Sequence, residues 1–226
     1  MASHQPAPES SFAASATDNP TNLRALPRGG FSMGLSGGFT IPYDSENSGA
    51  GFSVENSYDL GPFVSATLGY KWPFGFRFEG ELSYQRPNVG DITSVRVAGT
   101  RVAIGDGLPA TGHANVLALM VNEGFEFLPA KQWTPFLFGG IGAVAFNFSE
   151  IEVNRVPLVR DKHWDFVPAF QLGTGIDYSF TENWSGNITY RFFSTMTHAD
   201  MRAADGTVFE SDFSSHIFSL GFRYTF

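Results

Sequence analysis

Large apolar residues occupy every second position in eight separate stretches of this chain, each about ten residues long. The last stretch is the plainest. Phe218, Leu220, Phe222, Tyr224 and Phe226 alternate with Ser219, Gly221, Arg223 and Thr225. Period-2 alternation puts one set on each face of a strand. The first stretch sets Phe31, Met33, Leu35, Phe39 and Ile41 against Ser32, Gly34, Ser36, Gly38 and Thr40. The second sets Val64, Ala66, Leu68, Tyr70 and Trp72 against Ser65, Thr67, Gly69 and Lys71. In the third, Phe76, Phe78, Leu82 and Tyr84 alternate with Arg77, Glu79, Glu81, Ser83 and Gln85.

The fourth, about 113–127, places Leu117, Leu119, Val121, Phe125 and Phe127 outward and Ala118, Asn122, Gly124 and Glu126 inward, which leaves Glu123 on the apolar face. The fifth, 135–148, is expected to point Phe136, Phe138, Val144, Phe146 and Phe148 outward, with Gly139, Gly140 and Gly142 allowing bending. The sixth, about 164–180, sets Phe170, Leu172, Ile176 and Tyr178 against Gln171, Gly173, Gly175 and Asp177. The seventh, 184–193, sets Trp184, Ile188, Tyr190 and Phe192 against Ser185, Asn187, Thr189 and Arg191.

The links alternate in length. Short ones lie near 73–75, 128–133 and 181–183, and long ones near 42–60, 88–111, 149–163 and 194–212. Apolar-out, polar-in strands joined in this way predict an all-β fold. It is an eight-stranded antiparallel transmembrane β-barrel with short periplasmic turns and four longer extracellular loops. Trp72, Trp133 and Trp184 sit beside the short turns, where an interfacial aromatic belt belongs. No run of residues is long and apolar enough for a membrane helix, which leaves a closed barrel as the spanning structure.

Composition agrees. The 226 residues include 24 Phe and 25 Gly, with charged residues at 16%. A net charge of -8 with no basic stripe argues against nucleic-acid partners. The absence of Cys removes disulfides, thiol catalysis and thiolate metal sites. Residues 1–28 are rich in Ala, Ser and Pro and read as a disordered or extended segment ahead of a barrel at 29–226. They lack the basic start and apolar core of a secretory signal.

The inner face carries Lys71, Arg77, Glu79, Glu81, Glu126, Asp177, Arg191 and Arg223, four cations and four anions. Charges inside a low-dielectric wall must be paired or hydrated. A balanced set predicts cross-barrel ion pairs that close the lumen. A narrow, low-conductance channel is the alternative, opened by rearranging those pairs. The long links hold acidic groups: Asp44, Glu46, Glu55 and Asp59 in the first, and Asp200, Asp205, Glu210 and Asp212 in the last. Their spacing is not that of a calcium loop. Ser214 and His216 lie two apart on one strand face, the only hint of an outer-leaflet lipid hydrolase. Lipid A deacylases of this size use His-x-Ser, and the order here is reversed. His113, His163 and His198 show no metal-ligand spacing, so no catalytic residue, metal or cofactor is expected.

Five segments, in order, carry a family likeness: 76–84 (FRFEGELSY), 134–142 (TPFLFGGIG), 173–178 (GTGIDY), 187–192 (NITYRF) and 219–226. The chain resembles the small outer-membrane β-barrels of the surface-antigen and opacity-protein superfamily. That group includes the rickettsial major surface antigens and the 25/31-kDa outer-membrane proteins. The resemblance implies a bacterial outer-membrane location among membrane lipids and lipopolysaccharide. It also implies assembly by the outer-membrane insertion machinery through the C-terminal strand, with Leu220, Phe222, Tyr224 and Phe226 as the insertion signal. Such barrels serve as antigens, adhesins or envelope scaffolds, so an envelope or host-surface protein partner is expected. The fold by itself specifies no activity.

Overall fold

The computed structural model describes residues 29–43, 45–49, 52–97, 100–108, 110–128, 131–153, 156–159, 165–197, 199–202, 208–211 and 213–226. Side chains are described at 29–43, 60–88, 113–128, 131–146, 166–197 and 213–226. The expected leader at 1–28 lies outside the described residues.

Eight long strands form the wall: β1 (Gly30–Pro42), β2 (Gly61–Lys71), β3 (Phe76–Gln85), β4 (Ala110–Glu126), β5 (Trp133–Val153), β6 (Asp165–Ser179), β7 (Trp184–Thr195) and β8 (Ser214–Thr225). Each pairs antiparallel with the next, and β8 pairs with β1 from Ser32↔Thr225 to Pro42↔Ser215, so the sheet closes. Closure leaves no wall edge to be satisfied in lipid.

The stagger can be read directly. Directly opposed residues run from Lys71 through Arg77, Gly124, Phe138, Gly173, Arg191, Ile217 and Thr40 back to β2 at Gly61. One circuit therefore climbs from residue 71 to residue 61 of the same strand. A shear of ten over eight strands matches a tilt of about 40° and an interior just wide enough for side chains. The short turns are tight. Gly75 takes φ 100° between β2 and β3, a conformation that favours glycine, and the Gly75 amide donates to the Trp72 carbonyl.

Two expectations are corrected. The long links are largely strand: Ser45–Gly49, Phe52–Asp59, Asn88–Val97, Thr100–Leu108, Val156–Val159, Ala199–Arg202 and Val208–Ser211 extend the wall. The last link joins the first through Glu210↔Ser48, and Phe52–Asp59 pairs with Asn88–Val97, so the first, second and fourth links share a sheet.

The second correction concerns β5. Phe136, Val144 and Phe146 are buried inside the barrel, while Leu137, Ile141 and Ala143 face out. Phe138 also lies on the inner side, and Phe148 falls where side chains are not described. The physical reason is pairing. Opposed residues share a face, and Phe136 lies opposite both Glu126 and Gly175. A buried Glu126 therefore forces Phe136 inward.

The interior is layered. Charged residues fill the half near the short turns. The half toward the long links holds Phe63, Val116, Ala118, Met120, Val144, Phe146, Val167, Phe193, Phe213 and Ile217 in one buried apolar cluster. Phe213 packs on Phe146 and Phe193 with ring centroids 5.5 and 6.2 Å apart. The members of this plug are shielded as fully as those of a soluble core.

Candidate functional site

All eight inward charges expected from the sequence are buried, from 0% exposure at Glu126 to 8% at Lys71 and Arg223. Six come together near the short-turn end, delivered by β2, β3, β4, β6 and β8. Lys71 Nζ lies 2.6 Å from Glu126 Oε2, and Arg77 Nη1 lies 3.5 Å from Glu126 Oε1. Arg77 also donates to Asp177 Oδ2 at 3.1 Å. Arg223 Nη1 donates to that same oxygen at 3.3 Å, while its Nη2 sits 2.9 Å from Glu79 Oε1. The result is one continuous chain of alternating charge, Lys71–Glu126–Arg77–Asp177–Arg223–Glu79.

A second group lies higher. Arg191 Nη1 donates to Glu81 Oε1 at 2.5 Å and to Gln171 Oε1 at 3.3 Å. Asn122 donates to Glu81 Oε2 at 3.2 Å and accepts from Gln171 Nε2 at 2.7 Å. Asn122 and Gln171 read as inward from alternation, but nothing local marked them as the bridge between Glu81 and Arg191. Above them, Gln85 Oε1 accepts from Thr40 at 2.9 Å and Ser215 at 3.2 Å, tying β3 to β1 and β8.

Aromatic faces complete the solvation of the cations. The Arg77 guanidinium sits 4.0 Å from the Phe136 ring centroid, and Arg191 sits 4.9 Å from Phe63 and 5.4 Å from Phe138. The contacts with Phe136 and Phe138 exist because β5 faces opposite to its expected register. A polar cavity of about 30 Å³ lies among Arg77, Glu79, Glu81, Asn122, Arg191 and Arg223. That is room for about two waters. Arg77 Nε, Arg191 Nε and Arg223 Nε, which have no protein acceptor, are suited to bond them.

The outer surface follows its expected pattern on the other strands. Leu220, Phe222 and Phe226 are exposed, and Tyr224 is half-buried against Trp184 at 5.0 Å. Trp133 lies 4.5 Å from Tyr178, and Trp72 lies 4.8 Å from Tyr70, so the three tryptophans ring the short-turn end. Glu123 does face outward.

Near the opposite rim, His216 lies between two tyrosines. Its Nδ1 is 2.8 Å from Tyr190 Oη and its Nε2 is 2.5 Å from Tyr43 Oη. Ser214 Oγ is 2.9 Å from Ser194 Oγ. Both His216 nitrogens are thus engaged elsewhere, and Ser214 and His216 do not form a nucleophile–base pair.

Of the acidic link residues, Asp44, Asp205 and Asp212 lie outside the described residues, as do His163 and His198. Backbone register sets Glu46 opposite Glu55 and Asp200 opposite Glu210.

A family model described as outer membrane protein beta-barrel domain matches residues 10–226. Among solved structures, the chain is similar to Neisserial surface protein A (NspA). That match has a TM-score of 0.52 at 15% identity, covering 87% of this chain and 97% of that one. It is also similar to the outer membrane protein OprG from Pseudomonas aeruginosa, with a TM-score of 0.54 at 16% identity, covering 90% and 99%. At these identities the likeness is one of fold. No curated protein matches the chain.

Proposed function

The chain belongs to the outer membrane protein β-barrel family, and from that premise we propose that it is a closed-lumen surface barrel. In this reading it acts through its outer faces and not through its interior, as an antigen, adhesin or envelope scaffold. One observation carries the reading. Among the described residues, the barrel interior holds first a charge-balanced ion-pair chain and then an apolar plug. An ion crossing it would have to break buried pairs and then traverse side chains that offer it no polar partner.

The wall also carries a joined sheet beyond the membrane, built from the first, second and fourth links. Such a sheet offers a broad surface to an envelope or host-surface protein. The surface-antigen and opacity-protein superfamily is the branch of the family this role fits. In the same reading residues 29–226 form the barrel unit and its role is non-catalytic. Leu220, Phe222, Tyr224 and Phe226 act as the signal read by the insertion machinery, since they form an apolar stripe on the outer face of the closing strand.

Planar-bilayer recording tests the closed lumen. The folded chain should give no discrete openings at either polarity. Discrete, salt-dependent openings that change in Arg191→Ala would replace this reading with a narrow channel.

A further inference from the structure

Glu123 is out of place on the lipid-facing wall. Among residues whose side chains are described, it is the one charged group facing outward on the eight strands between the tryptophan belt and Arg86 at the far rim. It is exposed, with Val121 and Phe125 two positions away on the same face, both exposed. Its directly opposed neighbours are Phe78 on β3 and Gly139 on β5. A carboxylate against hydrocarbon is costly, and such groups are kept where they meet a partner.

Depth and neighbours narrow the partner. Glu123 is three residues above Glu126, the last residue of β4. At ~3.3 Å per residue and a tilt of about 40°, that is about 8 Å above the short-turn end of the strand. The position is in the periplasmic leaflet, just inside the headgroup layer and within a side chain's length of it. Beside it, Gly139 presents no side chain, and the Leu172 side chain lies over that glycine, 3.2 Å from where a Cβ would stand. The neighbours of the carboxylate on the outer face, Phe78, Val121, Phe125 and Leu172, are all apolar and offer it no polar partner. Among the described residues, the outward band of a second copy holds no Lys or Arg to match the carboxylate.

We propose that Glu123 is a binding site for a phospholipid bearing a primary ammonium headgroup in the periplasmic leaflet. A primary ammonium brings three N–H donors, so it can form a charge-assisted hydrogen bond to the carboxylate where water is scarce. A quaternary ammonium has the charge but no donor. The site selects between the two headgroups at one point on the barrel's circumference and fixes a lipid on the face formed by β3, β4 and β5.

Native mass spectrometry of the folded full chain decides the matter. The protein is offered equal amounts of phosphatidylethanolamine, phosphatidylcholine and phosphatidylglycerol of identical acyl chains. The first lipid should be retained about fivefold over the second, the ratio for the ~1 kcal/mol of one net hydrogen bond, since the two headgroups carry the same charge. E123Q should erase the preference and E123D should keep part of it. Equal retention by the wild type, or a preference that survives in E123Q, overturns the site. A dimer that E123Q dissolves also overturns it, in favour of a protein contact. Heat-modifiable gel mobility reports whether E123Q is folded. If it is not, the wild type alone is tested with the mono- and dimethylated ethanolamine lipids. Retention falling with each added methyl supports the site, and flat retention refutes it.

Discussion

Arg191→Met would strand Glu81 in a place built for a pair. Both side chains are buried, Glu81 at 3% and Arg191 at 5% exposure, and the contact lies just beneath the apolar plug. Without Arg191, the Glu81 carboxylate keeps Asn122 as its remaining donor. Breaking a buried pair by removing one partner costs about 3–5 kcal/mol, because an uncompensated charge is left behind. Loss of the stacking on Phe63 and Phe138 adds ~1 kcal/mol at most, part of which Met recovers by packing. Glu81→Gln alone leaves the guanidinium unmatched and should cost about 2–3 kcal/mol, less because an amide oxygen still accepts.

The double variant is the informative one. With both charges gone, the amide introduced by Glu81→Gln can bond Asn122 and Gln171. The total loss should then be under about 2 kcal/mol, since neutral replacements of buried pairs are well tolerated. The coupling energy is then at least about 3 kcal/mol. Equilibrium urea unfolding in lipid vesicles, followed by tryptophan fluorescence and checked for reversibility, measures all four corners of the cycle. If Arg191→Met costs less than about 1 kcal/mol, or if the double variant costs the sum of the two singles, the pair does not close the lumen as argued.

Three further outcomes follow from other parts of the wall. A fluorophore at Leu137→Cys should emit as in lipid and be quenched by brominated acyl chains, while Phe136→Cys should resist labelling in the folded protein; the reverse pattern would restore the register read from the sequence. Gly38→Val should abolish the heat-modifiable folded form, because a Cβ there would collide with the backbone carbonyl of Phe218 across the β1–β8 seam; a folded variant at normal yield would refute this. His216→Phe should lose the hydroxyl contacts from both Tyr43 and Tyr190 and lower stability by about 1–2 kcal/mol in equilibrium unfolding; an unchanged unfolding midpoint would refute this.

Alternation alone determined the strand number, the lipid-facing set on seven strands, the short and long ends and the eight buried charges. Those properties are local: a residue two positions along points the same way, and Arg77, Glu79 and Glu81 cannot share a face with lipid. Where both faces are apolar, as along 136–146, alternation carries no sign, and β5 took its register from Glu126 and Asp177 on its neighbours. The strands within the long links were hidden for a similar reason, since their polar runs gain order by pairing with segments distant in sequence.

Only closure decided the partners. Glu81 meets Arg191 across 110 residues, and Arg77 meets Asp177 across 100, because a ten-residue stagger lifts each strand past the last as the wall goes round. The same stagger gathers Phe63, Met120, Val144, Phe193 and Ile217 at one height. A plug assembled from single residues on different strands has no signature in any one of them.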